Sequence, residues 1–350
     1  MYDFGRTRSL INIADNEIFA QRADLRNQEQ EILLEASTIY LALLAGTEIN
    51  KLAKNNLLLL QKHFQATNDR FKLGEATSTD LSLAKARYLR AKSDEIKSRG
   101  DIEKERSKYF SLIGIEAPKK LYFPKIKVII PENLKDITKE TLQGNPNIIA
   151  SGFRKKLSFV KISSAASELL PTLDLNISAQ NAWAPNTFFD EYENYKMEFS
   201  LKLPLYSGGY NYSNVRQKKK EAMQSSKNLD YNIKKALKDV EILWIELNSL
   251  EAQKMAIDST IKANEKAVEG VKKENEVGSR TLLDVLDAEQ DLLEEKVEAI
   301  KIKRDKFITI FNLTAYMGKL SSSDLNLDVD IYDLDKNYLA VKNLWLGFED

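Results

Sequence analysis

The chain has 350 residues, 43% of them hydrophobic and 30% charged, a balance that suits long exposed helices better than a compact enzyme core. Its 52 basic residues cancel its 52 acidic ones, which argues against nucleic acid or acidic lipid as a partner held by bulk charge. There is no cysteine, so neither a disulfide nor a thiolate is available, and the compartment stays open on that count.

All seven prolines lie between Pro118 and Pro204, which leaves residues 1–117 and 205–350 free of helix breakers. The first tract predicts one helix from Ser9 to Lys72, roughly 95 Å long at 1.5 Å per residue. Its apolar residues Ile39, Leu43, Leu44, Leu57, Leu58 and Leu60 sit among charges, as in a coiled-coil partner helix. Gly74 turns the chain, and a second helix runs from Asp80 to Ile113 with Leu81, Ala84, Tyr88 and Ala91 on one side, giving a long antiparallel hairpin. No run of about 18 apolar residues stands out, so no transmembrane helix is expected.

Pro118, Pro124 and Pro131 mark an extended connection, followed by a short amphipathic helix from Leu134 to Leu142 that ends at Gly144-Asn145-Pro146. A further helix is expected from Ile148 to Leu170, stopped by Pro171. The period then changes to two. Leu173, Leu175, Ile177, Ala179 and Trp183 alternate with polar residues, as do Tyr195, Met197, Phe199, Leu201, Leu203 and Leu205, with Pro185, Asn186, Asp190 and Glu191 in the loop between. Two strands of about 9 to 11 residues with one apolar face fit a transmembrane β-hairpin; a hairpin packed on a soluble core is the plainer reading. Two strands cannot close a barrel, so the membrane reading requires oligomers.

A second long helix reaches Glu276, Gly278 turns the chain again, and a partner helix runs from Thr281 to Met317. Residues 319–350 read as a polar tail without an assigned role. Thr281 with Asp284 is a capping box, and Asp287 lies three residues further on nearly the same face. This turn repeats the earlier one at an offset of 204 residues. The offset relates Tyr2 to Tyr206, Gly5 to Gly209, Tyr40 to Trp244, Gly74 to Gly278, Thr77 to Thr281 and Gly114 to Gly318 without a gap. The expected organisation is therefore a first repeat at 1–117, a linker with a short helix at 118–147, a second repeat at 148–318 and a tail at 319–350. Asp287 is matched in the first repeat by Leu83, Arg280 by Ala76 and Asn275 by Phe71. Residues 1–4 correspond to 205–208, so the first repeat is expected to lack its strands, on a chain truncated at its start and without a signal peptide.

These residues resemble the TolC family of outer-membrane channel-tunnels. The resemblance rests on Leu170-Pro171-Thr172-Leu173-Asp174-Leu175, Leu203-Pro204-Leu205-Tyr206 with Gly208-Gly209, Asn145-Pro146, the two Gly-x-x-Thr-x-x-Asp turns, and Val277-Gly278-Ser279-Arg280-Thr281 with Asp284 and Asp287. It implies a mainly α fold with a small β part: helical hairpins duplicated in tandem plus a transmembrane β-hairpin, assembled as a homotrimer with a shared α/β barrel. The implied setting is the outer membrane and periplasm, in tripartite efflux or type I secretion. The implied partners are a periplasmic adaptor and an inner-membrane transporter, with no cofactor, metal or nucleic acid. By resemblance Asp284 and Asp287 line the periplasmic entrance as a ring of six carboxylates with raised pKa values. Arg280 with Thr79 and Asp80 maps to the closed-gate latch. The family's best-known members carry tyrosine where this chain has Asn275, so that latch is shorter. Gly74, Thr77, Gly278, Ser279 and Thr281 map to adaptor docking, where small residues leave grooves for partner helices.

The family has four strands per chain and twelve per trimer, whereas three copies of this chain supply six, below the roughly eight of the smallest barrels. The competing readings are a soluble periplasmic coiled-coil adaptor and a non-functional remnant of the channel. An enzyme is not expected: His63 reads as a lone surface histidine, and Asp284 with Asp287 lacks both further oxygens for a cation and an apolar pocket to separate two pKa values.

Overall fold

The computed structural model describes residues 2–124, 130–186, 189–331 and 333–342. The elements run α1 (Arg6–Lys72), α2 (Ser78–Ile113), α3 (Leu134–Gly144), α4 (Pro146–Ser167), β1 (Thr172–Asn186), β2 (Phe189–Lys202), α5 (Tyr210–Glu276), α6 (Leu282–Tyr316) and α7 (Leu334–Lys342). The fold is mainly helical, with one two-stranded antiparallel sheet among the described residues. The long helices come in matched pairs: α1 and α5 have 67 residues each, and α2 and α6 have 36 and 35. Glycines at the equivalent chain reversals all take positive φ: 78° at Gly74 and 79° at Gly278, 82° at Gly114 and 75° at Gly318. Glycine occupies that region without the steric cost a Cβ would impose, which is why it ends these helices.

Two compact units are present, one of residues 1–28, 140–237 and 330–350, the other of residues 29–139 and 238–329. Each draws residues from both repeats. The second unit holds a chain of apolar clusters. Leu41 packs with Phe311 and Leu320, while Ile137, Val240, Leu247, Leu313 and Met317 form a second cluster. Leu43 joins Ile102 and Ala117, and nearer the turns Leu60, Ala91 and Leu286 pack together with Leu57 and Leu282 beside them. Ile39, Leu43, Leu44 and Leu60 are buried as their spacing predicts, but Leu58 is half exposed. α1 contains an 18-residue window of mean hydropathy 1.5, apolar enough by composition to cross a membrane, which corrects the reading that no such stretch exists. The run Leu41 to Ala45 is nevertheless spent on this unit's core, where Leu41 and Leu43 are fully buried.

In the first unit Asn145 caps α4, its side-chain oxygen accepting from the amides of Asn147 and Ile148 at 3.1 and 3.2 Å, with Pro146 at the first helical position. α4 ends at Ser167, three residues short of the expected Leu170, because the chain tightens into a turn ahead of Pro171. Phe153 stacks on Phe19 at 5.3 Å, and Asn232 donates to the Ser151 hydroxyl at 2.6 Å. β1 and β2 are longer than the pattern predicted. Pairing continues through Trp183 with Glu191, and Pro185, Asn186, Asp190 and Glu191 fall within strands. The register breaks between Trp183 and Asn186, so Pro185 sits where it removes no ladder bond. Tyr2 adds an isolated antiparallel bridge to Leu173, with bonds of 2.7 and 2.9 Å.

The tail is not a featureless polar extension. Leu320 and Ser321 are buried, and Ser322 donates from its amide and hydroxyl to Glu29 at 2.8 and 2.6 Å. α7 docks on the start of α1, where the Tyr338 hydroxyl donates to Asp15 at 2.9 Å and Arg22 pairs with Asp335 at 2.7 Å. The Arg22 guanidinium also lies 4.9 Å from the Tyr338 ring, a cation–π contact. Trp345 and Gly347 lie outside the described residues.

Candidate functional site

The two turns share one geometry. At each, the amide after the glycine reaches back five residues, Glu75 to the Arg70 carbonyl at 2.8 Å and Ser279 to the Glu274 carbonyl at 2.9 Å, the Schellman closure of a helix end. The next helix then opens with a capping box. Asp80 accepts from the Thr77 amide at 3.0 Å and the Thr77 oxygen accepts from the Asp80 amide at 3.1 Å; the Thr281 and Asp284 pair repeats this at 2.9 and 3.3 Å. A Cβ added to Gly74 or Gly278 would meet no atom within 4 Å, so both glycines serve backbone conformation and leave open surface beside Thr77, Ser279 and Thr281.

Side chains stitch the second turn more closely than the first, where Arg70 pairs with Glu75 at 3.9 Å. Asn275 donates to the Arg280 carbonyl at 2.8 Å, the Ser279 hydroxyl donates to the Glu274 carbonyl at 3.0 Å, and Arg280 pairs with the Glu274 carboxylate at 3.0 Å. Within one chain, Arg280 and Asn275 are therefore engaged in their own turn and not on Thr79 or Asp80. Thr79 is exposed, and Asp80 is held by Thr77.

The paired aspartates have different roles. Hydrogen bonds from the Thr281 hydroxyl and amide hold the Asp284 carboxyl below the usual aspartate range. A capped carboxylate at a helix N-terminus is stabilised as the anion. Asp287, beyond the cap, forms an ion pair with Arg87 of α2. No motif singles out Arg87: the repeat offset aligns it with Asp291, not with Asp287.

Two residues along, Glu289 is buried in the same unit, with the Lys272 ammonium 2.6 Å from one oxygen and His63 Nε2 3.6 Å from the other. Burial pushes its carboxyl up, but His63 and Lys272 outweigh that and hold it below the usual glutamate range. His63 is thus not a lone surface histidine. Its side chain is 26% exposed and faces a carboxylate on α6. The next residue, Phe64, stacks on Tyr88 at 5.8 Å with the rings nearly parallel, fastening α1 to α2.

A family model described as outer membrane efflux protein matches residues 1–114 and 137–319. The chain is 27% identical over 348 residues to the outer membrane efflux protein BepC of Brucella suis biovar 1, covering 99% of this chain and 76% of that protein. It is 26% identical over 310 residues to the alkaline protease secretion protein AprF of Pseudomonas aeruginosa, covering 86% of this chain and 64% of that one. Among solved structures, a membrane protein from Pseudomonas aeruginosa superposes with a TM-score of 0.82 at 20% identity, over 90% of this chain and 72% of that one, a likeness of fold. A hairpin repeat with duplicated capped turns, a sheet face of unburied apolar residues and a family match over most of the sequence lead to one assignment: the chain belongs to the outer membrane efflux protein family.

Proposed function

We propose that the chain is one protomer of a homotrimeric outer-membrane channel that receives small molecules or proteins at its periplasmic end and passes them outward. The observation that carries this reading is the sheet. Its ladder pairs Leu173 with Leu201, Leu175 with Phe199 and Ile177 with Met197, and pairs Asp174 with Ser200, Asn176 with Glu198 and Ser178 with Lys196. Alternate residues share a face, so from Leu173 to Ala179 one face is apolar and the other polar. The apolar face is uncovered: Ile177 is 73% exposed, Phe199 65% and Leu201 67%. A soluble hairpin would bury that face; a barrel strand turns it to lipid and its polar face to a lumen.

In this reading Asp284 and Asp287 from three protomers form a carboxylate ring that attracts cations and repels anions. Arg280 reaches a neighbouring protomer's Thr79 and Asp80 when the ring is closed, exchanging its Glu274 contact for theirs, with Asn275 as a short member of that set. The open surfaces at Gly74, Thr77, Gly278, Ser279 and Thr281 receive the helical tips of a periplasmic adaptor, which joins the channel to an inner-membrane transporter. The naming of AprF for alkaline protease secretion supports protein export; that of BepC supports efflux. The test is reconstitution: protein purified in detergent should run as a trimer and give cation-selective conductance in planar bilayers. A monomer that stays soluble without detergent and conducts nothing would overturn the assignment.

A further inference from the structure

We propose that Arg87 is a positioning residue for the entrance, an intrachain latch that holds α6 through Asp287 and halves the free charge of the aspartate pair. The proposal rests on the channel reading, and it concerns a contact between the two hairpins of one chain. Arg87 and Asp287 lie on α2 and α6, so their ion pair ties the first repeat's hairpin to the second. Glu289 supplies a tie on another side of α6, since residues two apart on a helix point in different directions. It meets His63 of α1 and Lys272 of α5. The start of α6 is therefore gripped from two directions, directly above the apolar contact of Leu60, Ala91 and Leu286. By contrast Arg280 is spent on Glu274 in its own turn.

Exposure decides the division of labour. Glu289 has an 8% exposed side chain and fixes packing, whereas Asp287 at 54% and Arg87 at 30% form a contact that water can replace. An ion pair that exposed shifts an equilibrium by no more than about fivefold. That is weak enough to release, and three copies acting together would reach roughly a hundredfold. Release also uncovers three carboxylates at the entrance, so opening and cation attraction rise together.

The absence of cysteine allows a direct test. Spin labels at Lys92→Cys on α2 and Asp291→Cys on α6, both exposed positions, report the separation of the two helices in the detergent-solubilised full chain. Arg87→Gln should broaden and lengthen that distance, and the exchange Arg87→Asp with Asp287→Arg should restore it. In bilayers Arg87→Gln should raise open probability by up to about fivefold per protomer and move the reversal potential toward cations, a change that loss of packing alone would not produce. Identical distances in wild type and Arg87→Gln, or a charge exchange that restores neither readout, overturns the latch. A wild type that never conducts overturns the channel reading, while the label distances still decide whether Arg87 holds α6.

Discussion

Lys272 and Glu289 should differ sharply in what their removal costs, although they are partners. Glu289 is 9% exposed and Lys272 has a 46% exposed side chain, so one end of the pair is buried and the other is wet. Replacing Glu289 with leucine removes a buried charge and supplies apolar volume, and the freed Lys272 swings into water; the expected cost is below about 1 kcal/mol. Replacing Lys272 with alanine leaves the carboxylate buried with His63 at 3.6 Å as its remaining counter-group, and the expected cost is about 2 to 3 kcal/mol. The assay is denaturant unfolding of the detergent-solubilised protein followed by helical circular dichroism. Acidification adds a signed check. The Glu289 carboxyl sits below its unfolded value, so the pair's contribution is present above that unfolded value and fades as pH falls through the folded one. In Lys272→Ala burial opposes ionisation with less to offset it, so the variant's deficit should shrink on acidification. Equal costs for the two substitutions at neutral pH, or a deficit that grows in acid, would refute the reasoning.

Tyr316 donates to Asp239 at 3.0 Å, and burial with this contact pushes its hydroxyl up to about 12. Tyr316→Phe should cost about 1.5 kcal/mol near neutral pH. A raised pKa means the contribution is full below the unfolded tyrosine value of about 10 and is lost as pH rises toward 12, so wild type and variant should converge in alkaline unfolding curves. Leu41→Ala empties a fully buried site against Phe311 and Leu320, with an expected loss of about 3 kcal/mol in the same denaturation assay. Phe199→Arg separates two environments for the sheet: in lipid it should cost about 2 to 4 kcal/mol and reduce membrane insertion, whereas in water it should be nearly neutral, as read by fractionation and folding yield.

The long helices, their turns and their caps were legible because each depends on neighbours in sequence: a proline-free tract, a glycine at positive φ, a threonine three residues before an aspartate. The alternation of the sheet was legible for the same reason, but its ends were not, since Pro185 signals a loop unless one knows that the pairing register already breaks there. What escaped the sequence was every contact set by how one hairpin lies on the other. Arg87 and Asp287 are 200 residues apart, and no periodicity within α2 or α6 marks them as partners. His63 looked like a surface residue because its helix neighbours are polar; its carboxylate arrives from α6. The tail was opaque because Tyr338 and Asp335 find Asp15 and Arg22 at a separation of more than 300 residues.

The equal lengths of the paired helices constrain how this chain can change. A residue inserted into α1 would rotate everything beyond it by about 100° and advance it by 1.5 Å, pulling Leu60 off Ala91 and Leu286 and His63 off Glu289. An insertion of a whole heptad would restore the rotation but leave α1 longer than its counterpart α5 by about 10 Å, out of step with the α2 and α6 it packs beside. Length is therefore a shared property of four helices. It changes only when all four change together, a physical reason why an offset of 204 residues runs from Tyr2 to Gly114 without a gap.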